Sequence, residues 1–264
     1  MFSGGSLRSN YMNKIIHRFQ LNVVFGVVFL LTWLGAAGQR ATQLQNDTAL
    51  NKYGLRVIHS LVAYKATVVF NAANQMTNLK QKIPSLVLDL RYATTNNFMQ
   101  EKLYPPITTT WLRKPAADSL AIIQQQLNQM GLGLKIFDAY RPYAITEKMW
   151  EPVKDDRYAA DPRKGSGHNR GIAVDLTLVI LKTGVELNMG TGFDNFTDTA
   201  HHAFTNLPED ILQNRLLLKK IMEQHGFKAL DTEWWHYSLQ NGTSFELLDI
   251  NFKDLEKKNK TTHQ

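Results

Sequence analysis

The feature that most constrains the fold of this chain is a pair of short clusters, Ser166-Gly-His168-Asn-Arg-Gly-Ile-Ala-Val-Asp175 and Glu233-Trp-Trp-His236. Together they hold two imidazoles and two carboxylates, and only a fold that brings both segments to one place can use them as a set. Such a set suits a metal ion that takes three ligands from His, Asp and Glu and leaves its fourth position to water. Closed structural zinc sites usually rely on thiolates, and this chain contains no cysteine.

Three local features point to a shared site. His168 follows Gly165-Ser-Gly167, where the backbone can approach a ligand closely. Asp175 lies in Gly171-Ile-Ala-Val-Asp-Leu-Thr-Leu-Val-Ile180, which reads as a strand with Ile172, Val174, Leu176 and Leu178 on one face and Ala173, Asp175 and Thr177 on the other. A carboxylate in so apolar a segment needs a counter-charge, and a cation supplies it. Glu233 and His236 share one short segment. On a regular strand they project to opposite faces, so both can be ligands only if the chain bends there. Glu233 is therefore expected to be the general base, beside a water whose pKa zinc lowers to about 7. Trp234 and Trp235 read as core or pocket wall. Arg141, in Phe137-Asp-Ala-Tyr-Arg-Pro-Tyr143, follows a strand and precedes a helix. It suits either stabilisation of an oxyanion or a structural pairing with Asp138.

Residues 1–38 differ from the rest. Lys14 and Arg18 precede an apolar run from Leu21 to Leu34, and Ala36-Ala37-Gly38 follows, which is the pattern of a secretory signal peptide. The run is shorter than the roughly 20 apolar residues that span a bilayer comfortably. Met12 offers an alternative start with a short basic segment. Removing residues 1–38 deletes Arg8, Lys14 and Arg18 and no acid, so the net charge falls from +7 to +4, with 27 basic against 23 acidic residues. A modest, dispersed excess does not point to nucleic acid, and membrane contact is expected only through a retained leader. The basic cluster of residues 253–260 is interrupted by Asp254 and Glu256 and reads as a solvated tail. The expected organisation is a signal peptide (1–38), a flexible polar segment (39–52), one catalytic domain (53–252) and a polar tail (253–264), in a protein exported to the periplasm or beyond.

Within the domain, residues 85–92 read as a strand ending in the polar turn 94–97. Pro115 to Met130 reads as a helix, with Pro115 in its first turn, Leu120, Ile123 and Leu127 at helical spacing and Gly131 as its stop. A strand follows at 134–140, then a long loop between Trp150 and Arg170. Pro208 to His225 reads as a second helix with a stripe of Ile211, Leu212, Leu216, Leu218, Ile221 and Met222. A strand from Trp234 to Leu239 closes the domain. Strands and helices mix without regular βαβ alternation, so the fold class is α+β, with a mixed, largely antiparallel sheet and flanking helices.

The combination Ser-x-His-x6-Asp with Glu-x-x-His, preceded by Asp138-Ala-Tyr-Arg-Pro142, resembles the zinc D-alanyl-D-alanine dipeptidases, the family that includes the vancomycin-resistance enzyme. Leu88-Asp-Leu-Arg-Tyr-Ala-Thr-Thr-Asn-Asn-Phe98 is similar to the N-terminal strand and turn of that family, and the likeness runs from about Tyr53 to Asp249. The resemblance implies that His168, Asp175 and His236 hold one zinc ion, that Glu233 is the catalytic base, and that Arg141 stabilises the transition state. It further implies that Ser166 lies in the substrate pocket and that Asp194 pairs with the free ammonium of a small dipeptide. His201 and His202 are expected to be bystanders. The expected activity is hydrolysis of D-alanyl-D-alanine, in recycling or turnover of wall-derived dipeptide. Two rivals share the residues: a carboxypeptidase or endopeptidase on longer peptidoglycan peptides, and a non-catalytic wall-binding module that keeps zinc for structure.

Overall fold

Alternating apolar residues in two neighbouring segments, 132–138 and 173–180, build the centre of the molecule. The computed structural model describes residues 49–260. Its strands are β1 (Val57–Ile58), β2 (Met76–Asn78), β3 (Val87–Leu88), β4 (Trp111–Arg113), β5 (Leu132–Asp138), β6 (Ala173–Ile180), β7 (Phe227–Leu230), β8 (Glu233–Leu239) and β9 (Leu247–Leu248). Its helices are α1 (Leu61–Phe70), α2 (Leu79–Lys82), α3 (Lys114–Gln129), α4 (Tyr143–Val153), α5 (Gly167–Arg170), α6 (Glu209–Gln224) and α7 (Phe252–Lys260). The main sheet has the order β3-β5-β6-β8-β7, parallel only between β3 and β5. This is the α+β class, with a mixed and largely antiparallel sheet.

Leu134 and Ile136 of β5 and Val174, Leu176 and Leu178 of β6 join one apolar cluster with Leu120, Ile123 and Leu127 of α3 and Leu218, Ile221 and Met222 of α6. The helices thus cover the greasy face of β6, and Asp175 points away from that face. A second cluster, with Tyr64, Tyr92, Tyr104, Trp111, Tyr140, Phe252 and Leu255, packs beside the end of the sheet where the polar residues gather.

α3 and α6 fall within a residue or two of the expected segments, and α3 carries the proline expected in its first turn. The stripe of α6 differs from expectation: Leu212 is only partly buried, Leu216 is 56% exposed, and Arg215 takes the buried position. Its guanidinium donates to three backbone carbonyls inside the fold, which offsets part of the cost of burying it. The strand expected at 85–92 shrinks to Val87–Leu88, because Leu90 packs into the first cluster and Tyr92 into the second, and the chain turns as a 3-10 segment between them. The loop expected from 150 to 170 is helical at both ends. β8 does not end the domain, since β9 and α7 follow it in the chain, and within the sheet it lies beside β7, which forms the edge.

The polar tail expected from residue 253 begins instead as helix α7, because Phe252 and Leu255 stand one turn apart and bury against the second cluster. Of the segment 39–52 expected to be flexible, residues 50 and 51 are held in place: Leu50 bridges Arg56, and the Asn51 side chain donates to the Tyr143 hydroxyl and accepts from the amides of Tyr53 and Leu55. The signal peptide expected at 1–38 lies outside the described residues. Among those described, no helix is long and apolar enough to cross a membrane.

Candidate metal centre

Register places the site. Asp138 on β5 stands opposite Asp175 on β6, which stands opposite His236 on β8, so one rung across three adjacent strands carries two carboxylates and an imidazole. Cross-strand neighbours have Cβ atoms about 5 Å apart, and two buried acids at that spacing demand positive charge. His168 completes the group from α5. Ser166 caps this short helix: its Oγ accepts from the His168 amide at 3.1 Å, and Asn169 Oδ1 accepts from the Ser166 amide at 2.9 Å, forming a capping box. Gly171, at φ 70°, ends the helix in the left-handed region and lets the chain turn at once into β6.

His168, Asp175 and His236 each offer a ligand atom, and these atoms all lie within 4.8 Å of one another. His236 Nδ1 is 2.9 Å from Asp175 Oδ1, and His168 Nε2 is 3.4 Å from Asp175 Oδ2 and 3.3 Å from His236 Nδ1. The outward nitrogens are already engaged. His168 Nδ1 donates to the Ala139 carbonyl at 2.7 Å, and His236 Nε2 lies 3.1 Å from Ser238 Oγ. Partners of this kind fix the tautomer and leave the inner nitrogen lone pairs free for a metal. Burial alone would raise the pKa of Asp175, but the two imidazoles outweigh it and hold the carboxylate well below its usual range.

Glu233 Oε2 lies 4.0 Å from His236 Nδ1, although the two residues are an odd number apart on β8. The pairing of β7 with β8 slips at this point, from Ala229 opposite Tyr237 to Leu230 opposite Glu233. Such an irregularity re-aims side chains that regular pleating would send to opposite faces. Burial, with Asp175 nearby, pushes the Glu233 pKa up to about 7 against the opposing pull of His236 and Arg141.

Arg141 makes the structural pairing with Asp138 that its sequence allowed, and it does so at the edge of the site. Nε and Nη2 donate to Asp138 Oδ2 at 3.0 and 2.8 Å, and the guanidinium lies over the Tyr92 ring, 5.1 Å from its centroid. Nη2 is also 3.9 Å from Asp175 Oδ2, and Arg141 lines the same cavity as the metal ligands. Burial works against its charge, but Asp138, Tyr92, Tyr104 and Asp175 together outweigh burial and keep the pKa above its ordinary value.

The cavity measures about 240 Å³ and is lined by all seven residues singled out from sequence: His168, Asp175, His236, Glu233, Arg141, Ser166 and Asp194. That is below the ~300–1,000 Å³ of pockets for drug-sized ligands, so a small substrate fits it best. Asp194 accepts from the Tyr92 hydroxyl at 3.1 and 3.2 Å. Burial, with Asp175 and Glu233 nearby, raises its pKa well above the ordinary carboxylate value, and a cation brought beside it would relieve that strain. His201 and His202 do not line the cavity.

Two further residues buttress the site. Asp138 reads in sequence only as a structural partner of Arg141, yet it is fully buried, accepts from the Tyr104 hydroxyl at 2.8 Å, and lies 3.7 Å from His168 Nδ1. Its i, i+3 spacing from Arg141 was the available signal. Tyr92 gave none, because nothing local distinguishes an aromatic that turns toward a site from one that fills a core.

A buried triad of two histidines and an aspartate with an open side, a neighbouring carboxylate and a fixed guanidinium define a metallohydrolase class of site. The D-ala-D-ala dipeptidase family model matches residues 72–257. The chain is 35% identical over 178 residues to the D-alanyl-D-alanine dipeptidase of Escherichia coli K12, a match that covers 67% of this chain and 91% of that protein. It is also 33% identical over 187 residues to the D-alanyl-D-alanine dipeptidase of Enterococcus faecium, covering 62% of this chain and 91% of that protein. The chain belongs to the D-alanyl-D-alanine dipeptidase family of metallopeptidases.

Proposed function

We propose that this enzyme is an exported, zinc-dependent dipeptidase that cleaves D-alanyl-D-alanine into two D-alanines. The observation that carries the reading is the convergence of His168, Asp175 and His236 in one small cavity with Glu233 and Arg141. The ligand set suits zinc: two neutral imidazole nitrogens and one carboxylate oxygen, with outward hydrogen bonds already made. When bound there, the ion supplies Lewis acidity, polarising a carbonyl and acidifying water.

The chain's own residues do the rest. Glu233 takes a proton from the attacking water, and a pKa near 7 suits a group that must then return that proton to the departing amine. Arg141, braced by Asp138, presents its guanidinium to the oxygen on which negative charge develops. Asp194, backed by Tyr92, reads the free ammonium of the dipeptide. Ser166 Oγ accepts from the His168 amide, which leaves its O–H free to donate to the substrate. Reading both ends of a substrate inside about 240 Å³ favours a free dipeptide over a longer wall peptide. Export fits recycling of dipeptide released from the wall, since precursor dipeptide is made inside the cell.

D-alanine release tests this reading, measured from D-Ala-D-Ala, from L-Ala-L-Ala and from a stem pentapeptide, before and after chelation. Release from D-Ala-D-Ala that chelation abolishes is expected. Faster release from the pentapeptide would make the enzyme a carboxypeptidase, and binding of wall fragments without release would make it a binding module.

A further inference from the structure

Arg215 lies on the buried face of α6 with Ile211, Leu218 and Met222, and it is 5% exposed. No carboxylate pairs with it among the described residues. Its donors all go to backbone: Nε to the Met189 carbonyl at 2.7 Å, Nη2 to that of Thr199 at 2.9 Å, and Nη1 to that of His201 at 3.3 Å. Met189 and Thr199 to His201 are the two ends of one irregular excursion in the connection between β6 and α6. One buried guanidinium therefore closes the neck of a loop that has little regular structure of its own. Long irregular connections inside a domain are usually functional, and this one carries Asp194 into the cavity.

Asp194 needs that closure. Its φ is 60°, in the left-handed region that L-residues rarely adopt, although Asp tolerates it better than most. Its carboxylate is also pressed by Asp175 and Glu233, which disfavour its charge. The sheet holds the loop from one side, where Phe193 stacks on Phe137 at 4.9 Å and Thr191 Oγ1 accepts from Trp234 Nε1 at 2.8 Å. Arg215 holds it from the helix side. A lysine could not substitute, because a single ammonium lacks the planar fork that reaches three separated carbonyls.

We propose that Arg215 is a positioning residue for substrate recognition: by closing the neck of the 189–201 loop, it holds Asp194 in the strained conformation that turns its carboxylate toward the dipeptide ammonium. The inference rests on the ammonium-reading role given to Asp194 above.

The test uses the full metal-loaded chain with Arg215→Lys, Arg215→Met and Asp194→Ala. Each is assayed on D-Ala-D-Ala and on N-acetyl-D-Ala-D-Ala, with turnover normalised to bound metal. Hydrogen exchange is followed across residues 189–201. Losing a charge-assisted contact to the ammonium corresponds to roughly 10- to 100-fold in binding. Both Arg215 variants should raise KM for the free dipeptide within that range, leave kcat far less affected, and erode the preference over the acetylated dipeptide as Asp194→Ala does. Amides of the loop should exchange faster while those of β6 and β8 do not. A lower melting temperature with KM unchanged would make Arg215 merely structural and overturn the proposal, as would a fall in kcat at constant KM. If Asp194→Ala shifts KM and the Arg215 variants do not, only this inference fails. If Asp194→Ala leaves KM unchanged, the reading of the site fails and takes the inference with it. Should Arg215→Met not fold, Arg215→Lys, which keeps the charge, carries the test.

Discussion

Asp138→Asn tests what the buried acid does for Arg141, because it keeps the shape of the side chain, removes its charge and leaves one acceptor oxygen, with the amide nitrogen in place of the other. In the native protein Asp138 Oδ2 accepts from both Nε and Nη2 of Arg141, and Oδ1 accepts from Tyr104. Hydrogen bonds to charged groups are worth about 1.5–3 kcal/mol against about 0.5–1.5 for neutral ones, so neutralising one acceptor of two bonds should cost about 2–3 kcal/mol. That lies just under the ~3–5 kcal/mol of breaking a buried pair outright, as expected when an acceptor oxygen remains. Freed of its anchor, the guanidinium has Asp175 Oδ2 only 3.9 Å away as the next acceptor and should tilt toward it. Deleting a transition-state donor altogether costs about 10²–10³ in turnover. Misplacing it should therefore cost less, on the order of 10- to 100-fold in kcat, with KM little changed. D-alanine release per bound metal gives the kinetic figure, and urea unfolding of chelated protein gives the stability figure. A variant whose kcat stays within about twofold of the parent would refute the bracing role, since geometric precision at Arg141 would then contribute nothing.

Glu233→Gln should retain metal while kcat falls by about 10²–10⁴, the usual contribution of a general base; loss of metal on analysis would move Glu233 among the ligands. His168→Ala should lose metal and stability together, so that chelator shifts the melting temperature of the parent and not of the variant. Burial, with Lys219 and Arg215 nearby, lowers the His202 pKa from 6.5 to about 4. The unfolded chain therefore binds this proton first, and stability is complete above pH 6.5 and falls as the pH drops toward 4, by at most about 3 kcal/mol. His202→Gln should flatten that limb in urea midpoints at pH 7 and 4.5, and an unchanged drop would assign the acid sensitivity to another group.

Much of this was legible in the chain itself. Pro115, the Leu120-Ile123-Leu127 spacing and Gly131 bound α3 because its ends and buried face are set by local chemistry. The triad was legible because an acid amid Ile172, Val174 and Leu176 has few explanations other than a cation. The position of Glu233 beside His236 was not, since it depends on a slip against β7 that no period within 233–239 encodes. Arg215 was hidden for a related reason: its partners are carbonyls of a distant loop, so an apolar stripe picks out Leu216 in its place. The three-residue pairing of β2 with β4 and the early turn at Tyr92 are likewise settled by which cluster each side chain joins.

The central claim is that one zinc ion is gathered by His168, Asp175 and His236, and anomalous scattering from crystals of the zinc-loaded protein tests it most directly. The account predicts a single strong peak at the zinc edge among His168 Nε2, His236 Nδ1 and the Asp175 carboxylate, with Glu233 beside the ion and not bound to it. A peak coordinated elsewhere, for instance by His201 or His202, or no peak in protein that cleaves D-Ala-D-Ala, would contradict it.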